Sequence, residues 1–429
     1  MSIIDIAAVL LMLAAASSYI NHRYLGLPNT IGLTLAGLVA AIAVLALDLA
    51  WPDLGLAQVV RSGLAQVDFP ELLMRGMLGF LLFAGALHVD LEDLLAHRWP
   101  IIFLATAGVL ISLVVVGSGS YWLFQLAGTP VSFAYCLVFG ALISPTDPIA
   151  VLSVMKSQNV PRGLQIKVAG ESLFNDGIGV VAFSLLLAGA SGHGAHGGGM
   201  GAAAVALLLL QEVGGGILLG LVAGYLIYRL MRSVDEADLE ILMSVALVMG
   251  IAFIAFRLHT SAPLACVVAG LFIGNHGRRF AMSPTTRTSL DGVWSFLDQS
   301  LNGVLFLLVG LEVVATLSPK PAHLLAAALL LVLVLGARLV SVAVPIGILH
   351  TRMKFDPGLI KILTWGGLKG GISVALALSL PPFPGRAAVV TATSIIVAFS
   401  VVIQGLTIGP LIHRQMERNK TAAETGGSS

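Results

Sequence analysis

The sequence predicts an all-α polytopic membrane protein, with about 13 transmembrane helices in two inverted repeats and two discontinuous helices among them. Three observations predict it. Of 429 residues, 57% are hydrophobic and only 10% charged, with a mean hydropathy of +0.97, whereas soluble domains run near ~25% charged. Apolar runs long enough to cross a bilayer, at ~20 residues each, recur along the whole chain. Two of those runs are interrupted by proline or glycine clusters at corresponding places. The formal net charge of +1 says nothing about nucleic acid, but the sequence has no basic patch with interleaved aromatics, and no nucleic-acid partner is expected. Cys136 and Cys266 lie in apolar segments and read as small core residues.

The spans follow in order. The first covers about Ile3–Ile20; it has no basic leader region and no small-residue cleavage site, so no cleaved signal peptide is expected. The second is Thr30–Leu47. An amphipathic link from Trp51 to Phe69 precedes the third, Glu71–His88. The fourth is Pro100–Phe124. The fifth, Val131–Met155, is broken at Ser144–Pro148, and the sixth runs from Leu164 to Ala190. A Gly/His linker at 191–201 leads to the seventh, Ala202–Leu230. Then come Leu239–Phe256, a short Ala262–Gly274, Val293–Ala315 and Pro321–Leu349. The twelfth, Leu359–Leu380, is broken at Trp365–Gly371, and the thirteenth is Ala387–Ile412. A short polar tail, too short for a regulatory domain, follows.

Loop charges orient the chain. Fifteen lysines and arginines follow odd-numbered spans, against five on the other side (Arg61, Arg75, Arg257, Lys320 and Arg386). The positive-inside bias then puts the odd-numbered exits and the C-terminus in the cytoplasm, and the N-terminus outside. The fifth and twelfth spans are seven crossings apart and so run in opposite directions. That is the pattern of inverted repeats around a mid-membrane transport site; ordinary proline and glycine kinks are the competing reading. The division is residues 1–190 (helices 1–6), a linker and connecting helix over 191–235, a second repeat over 236–413, and a tail over 414–429.

Chemistry concentrates in AGESLFNDGIGVV, residues 169–181. A carboxylate at mid-bilayer costs at least ~2.5 kcal/mol, so two in one span need a function. Ser172 and Asp176 are i,i+4 and share one stripe; Glu171 and Asn175 share the adjacent one. The four form an oxygen-rich patch suited to a hard cation. A polar helix–helix clamp is the competing reading, but a clamp rarely needs two acids. At the breaks, Thr146 or Asp147 caps the second half of the fifth span, with Pro148 in its first turn. Lys369 complements a negative helix end, a helix-break stabiliser before anything else. Arg338 is a deep guanidinium that needs a carboxylate; Glu171, Asp176 and Asp147 all remain open as partners. Gln299 and Asn302 read as interhelical hydrogen-bonding groups, with a role as ion ligands as the lesser alternative. His88, His97, His193, His196 and His276 read as end or loop histidines, with pH sensing as the lesser alternative and weak metal binding as a further one at His193 and His196.

ISPTDPIAV, GESLFNDGIGVV, FLLVGLE (306–312), GARLVSV and TWGGLKGGISVALALSLP stand in this order along nearly the whole membrane region. They resemble the monovalent cation:proton antiporters of the CPA1 class, the NhaP-like bacterial branch related to NHE exchangers. The resemblance implies an NhaA/NhaP-like fold, a homodimer, and a core of spans 4–6 and 11–13 moving against a dimerisation domain. It implies that Asp176 is the essential cation- and proton-binding acid, with Ser172 and Thr146 as neighbouring ligands of the monovalent cation. Asp147 matches a nearby acid, Asn175 the asparagine marking electroneutral exchange, and Glu171 with Arg338 a structural ion pair. Two departures stand out. Lys369 occupies a position where many members have arginine, and Ala84 one where many have an acid in the third helix.

The expected activity is Na+/H+ exchange, with Li+ or K+ as alternative cations, serving pH homeostasis from the cell's inner (plasma) membrane. Burial disfavours a carboxylate's charged form, so Asp176 takes a proton or a cation but not both. Alternating exposure of that one acid gives obligatory 1:1 exchange without a cofactor. A cation uniporter or channel is the rival transport reading, and an intramembrane enzyme is the rival from another class. No HExxH or GxSxG motif supports the enzyme.

Overall fold

The computed structural model describes residues 3–51, 53, 55, 58, 60, 62–63, 68–158, 160–191, 202–316, 320–353, 355 and 358–426. The Gly/His linker with His193 and His196, and most of the link before Phe69 with Arg61, lie outside the described residues. Within them the chain is helical. We number α1 Ile3–Ile20, α2 Asn29–Ala50, α3 Phe69–Leu87, α4 Leu91–Ala96, α5 Arg98–Leu126, α6 Phe133–Ile143 and α7 Ile149–Ser157. There follow α8 Arg162–Ala190, α9 Ala206–Met231, α10 Ala237–Leu258, α11 Ala262–Phe272 and α12 Pro284–Thr316. The last are α13 Pro321–His350, α14 Leu359–Trp365, α15 Gly371–Leu378 and α16 Arg386–Arg418.

Nine of these are long and apolar enough to cross a membrane among the described residues: α2, α3, α5, α8, α9, α10, α12, α13 and α16. The other expected spans appear as α1 with 18 residues, the 11-residue α11, and two interrupted pairs, α6/α7 and α14/α15. Length and apolarity thus account for nine of the thirteen expected crossings.

Local chemistry sets the starts nearest the site. Asp68 caps α3 by accepting from the Glu71 amide at 3.0 Å, with Pro70 in the first turn. Asp90 caps the short α4, accepting from the amides of Glu92 and Asp93 at 2.9 and 3.4 Å; the apolar-run reading gave no helix there. Pro161 immediately precedes α8. Two further boundaries differ from expectation. α12 begins at Pro284, nine residues ahead of the expected start, because its first turns are polar (Thr285, Thr286, Arg287) and invisible to an apolar criterion. The residues expected as a polar tail are helical too, continuing from α16 beyond Arg418 as far as Gly426.

α8 packs against α5, α6, α7 and α11, while α12 packs along α2 and against α3, α10 and α16. α3 also touches α8 and α11. The buried apolar core is continuous through these helices, from Leu73 and Leu82 through Phe139 and Ile143 to Leu305 and Val397. A cavity opens between α3, α7, α8 and α12.

Candidate ion-binding site

The two breaks meet. The Asp147 amide donates to the Leu368 carbonyl at 2.8 Å, joining the interruption between α6 and α7 to that between α14 and α15. Each interruption leaves backbone carbonyls without helical partners. At the end of α6, the Lys369 ammonium donates to the carbonyls of Ser144 and Pro145 at 3.0 and 3.2 Å. At the end of α14, Arg338 of α13 donates through Nε and Nη2 to the Leu363 carbonyl at 3.2 and 3.0 Å. Both cations therefore sit at negative helix ends, where the macrodipole favours them. Lys369 serves the opposite break and not its own.

The positive ends receive an acid. Asp147 Oδ1 accepts from the Ile149 amide, the first of α7, at 2.9 Å. A Cβ at Gly370 would stand 2.7 Å from Asp147 Oδ2, so the carboxylate also lies against the start of α15, where only glycine leaves room. Gly367 makes the same allowance for the Arg338 guanidinium.

α8 divides the expected four-residue patch into two faces. Glu171 turns inward, its side chain 2% exposed, and accepts from Arg338 Nη1 at 2.5 Å. Of the three candidate partners for Arg338, the structure brings up Glu171. Asn175 also turns inward: its Nδ2 donates to Thr146 Oγ1 at 2.8 Å and its Oδ1 accepts from the Thr146 amide at 3.4 Å. It holds the first break against α8 and does not line the cavity. Ser172 and Asp176 form the other face. Ser172 Oγ lies 3.3 Å from Thr146 Oγ1. Asp176 is buried to 8% exposure, lines the cavity, and receives no hydrogen bond from any described residue.

The cavity measures about 850 Å³. Thr146, Asp147, Ser172 and Asp176 line its inner part; His88, Asp90, Lys156 and Arg162 line the part where α3 and α7 end and α8 begins. Arg162 bridges Asp90 and Asp93 at 3.1 and 2.6 Å there. Oxygen atoms of Asp176, Ser172 and Thr146 thus share one pocket with a second acid, a donor set suited to a hard monovalent cation. Ala84 also lines the cavity from α3 and supplies no oxygen from its side chain. Of the histidines, His88 Nδ1 lies 2.8 Å from the Ala84 carbonyl, with Nε2 3.6 Å from Asp291. His97 contacts the Asp93 carbonyl at 2.9 Å, and His276 lies among Tyr228, Phe272 and Phe280.

Two cavity acids escaped the sequence reading: Asp90, which caps α4, and Asp298. Asp298 on α12 faces the same space, with Gln299 and Asn302. Its signal was available: Ser295, Asp298, Gln299 and Asn302 recur at helical spacing and put a polar face on an apolar span.

The family model for "Sodium/hydrogen exchanger, transmembrane" matches residues 9–414. The Na(+)/H(+) antiporter NhaP of Pseudomonas aeruginosa is 46% identical over 418 residues, covering 96% of each chain. The Na(+)/H(+) antiporter NhaH of Halobacillus dabanensis is 35% identical over 95% of this chain and 96% of its own. Among solved structures, the sodium proton antiporter MjNhaP1 of Methanocaldococcus jannaschii at pH 8 superposes with a TM-score of 0.73. The alignment covers 95% of this chain and 97% of that one at 18% identity, which speaks to the fold.

Proposed function

The chain belongs to the sodium/hydrogen exchanger family, and from that premise we propose that it exchanges a monovalent cation, sodium foremost, for a proton across the cell's inner (plasma) membrane. Lithium and potassium are the alternative cations. The observation that carries the proposal is the Asp176 carboxylate. It lines the cavity together with the hydroxyl-bearing Ser172 and Thr146, and no donor among the described residues satisfies it. A desolvated carboxylate needs a proton or a cation. One acid that takes either but not both, exposed to each side in turn, couples the two fluxes.

The surrounding charges support one-for-one exchange. Glu171 is compensated by Arg338, Asn175 is neutral, and Asp147 is held at a positive helix end. Only Asp176 then changes partner during the cycle. In this reading Ser172 and Thr146 supply further ligands of the cation, Asp147 acts beside them, and Glu171 with Arg338 is structural. The two inverted repeats run over 1–190 and 236–413, joined through 191–235. With the loop-charge orientation, the cavity part lined by Lys156 and Arg162 faces the cytoplasm, so the conformation is inward-open and the C-terminus cytoplasmic. The apolar outer faces of α1 and α9, including Met12, Leu218 and Leu226, suit lipid or the second subunit of a homodimer.

The test is reconstitution in vesicles holding a pH-sensitive dye, with a series of sodium, lithium, potassium and choline chlorides. Sodium should drive proton flux and choline should not. Asp176→Asn should abolish the flux while the protein stays folded in the membrane. Flux at near the wild-type rate in that variant would remove Asp176 from the mechanism.

A further inference from the structure

Ser295, Asp298, Gln299, Asn302 and Leu305 line the cavity from α12. Their spacing puts them on one face of that helix, which is neither the helix of Asp176 nor the break that holds Asp147. Asn302 Nδ2 donates to Asp298 Oδ1 at 3.0 Å, one turn away. This contact uses one of the two N–H donors of the amide and leaves the Asn302 carbonyl oxygen out of it. Asn302 is 4% exposed, and its Oδ1 accepts no hydrogen bond among the described residues. A buried amide oxygen without a donor is strongly unfavourable. A carboxylate beside it repels any further acceptor and attracts a cation.

The position along the cavity adds direction. Asp298 is within electrostatic reach of Asp147 toward the inner end. It is also within reach of His88 and Lys156 at the outer end. A carboxylate in a low-dielectric cleft focuses the field and raises the local concentration of counter-ions.

We propose that Asp298 and Asn302 form a second, transient station for the exchanged monovalent cation on α12, from which the ion passes to Asp176. This rests on the exchange proposed above. The station binds through the Asp298 carboxylate and the Asn302 carbonyl oxygen, both hard donors. It takes no part in the proton side of the cycle, so it governs cation capture more than turnover.

The test is sodium-driven proton flux in vesicles, resolved into KM and maximal rate. Asp298→Asn should raise the sodium KM by about fivefold to tenfold, with the maximal rate held within about twofold. Asp298→Glu should restore a KM near wild type. Asn302→Ala should raise KM in the same direction by less, and decides the matter alone if Asp298→Asn does not fold. An unchanged KM in the folded variants would mean that water serves these oxygens, and would overturn the station. A lower maximal rate at unchanged KM would assign Asp298 a structural role and overturn it too. If the wild-type protein exchanges sodium and only these variants contradict the expectation, the station fails and the exchange stands. A wild type without sodium-driven flux would remove both.

Discussion

At the scale of single residues, burial makes charge expensive and so dictates pairing. Glu171 and Arg338 meet at 2.5 Å with side chains 2% and 9% exposed. Removing one partner strands the other, at about 3–5 kcal/mol. Glu171→Gln and Arg338→Met should therefore each lower the thermal stability of the detergent-solubilised protein. The double variant should lose less than the sum, because the two share one interaction. Strictly additive losses would mean that they do not act as a pair. The acids and the arginine were legible in the sequence as charges that needed partners, but their pairing was not. Glu171 and Arg338 are 167 positions apart, and three carboxylates satisfied the same requirement until helix orientation chose one. The division of labour on α8 was hidden for a similar reason. Adjacent stripes read as one patch in projection, yet a rotation of one residue, about 100°, turns Asn175 toward Thr146 and leaves Asp176 in the cavity.

At the scale of elements, the two interrupted helices act as one unit because each completes the other. Lys369 and Arg338 answer the carbonyl ends, Asp147 answers an amide end, and a backbone bond joins Asp147 to Leu368. Lys369→Met should cost about 1.5–3 kcal/mol, the range for hydrogen bonds to a charged group, read as a fall in melting temperature. Lys369→Arg keeps the charge and donors and should recover most of it. Equal losses in both variants would show that ammonium shape, and not cation placement, holds the crossing. Both breaks were visible in the sequence as proline and glycine clusters inside apolar runs. That they touch was not, since the hydrophobic pattern carries no information on which spans are neighbours. Helix starts failed where polarity and helicity coincide: Thr285, Thr286 and Arg287 open α12, and an apolar criterion discards them.

At the scale of the whole molecule, the proposed exchange moves one ion each way through a single acid. Two outcomes follow from that economy. With a potassium-diffusion potential clamped across vesicles, the exchange rate at fixed chemical gradients should not depend on voltage; a rate that tracks the potential would mean unequal charges moved per cycle. Acidifying the side from which sodium is taken up should raise its apparent KM and leave the maximal rate unchanged, because protons and sodium compete for Asp176. A falling maximal rate with constant KM would place the proton elsewhere. The crossing also has a consequence for biosynthesis. The Lys369 ammonium lies 225 positions beyond the Ser144 carbonyl that it satisfies. At about 5–20 residues per second, α6 and α7 wait roughly 10–45 s in the bilayer with that end uncapped. A nascent chain stopped at His350 carries the first break without its cation. The late glycine-rich stretch thus acts as the clasp of the assembly, and the age of a chain on the ribosome decides when its first half becomes a lasting structure.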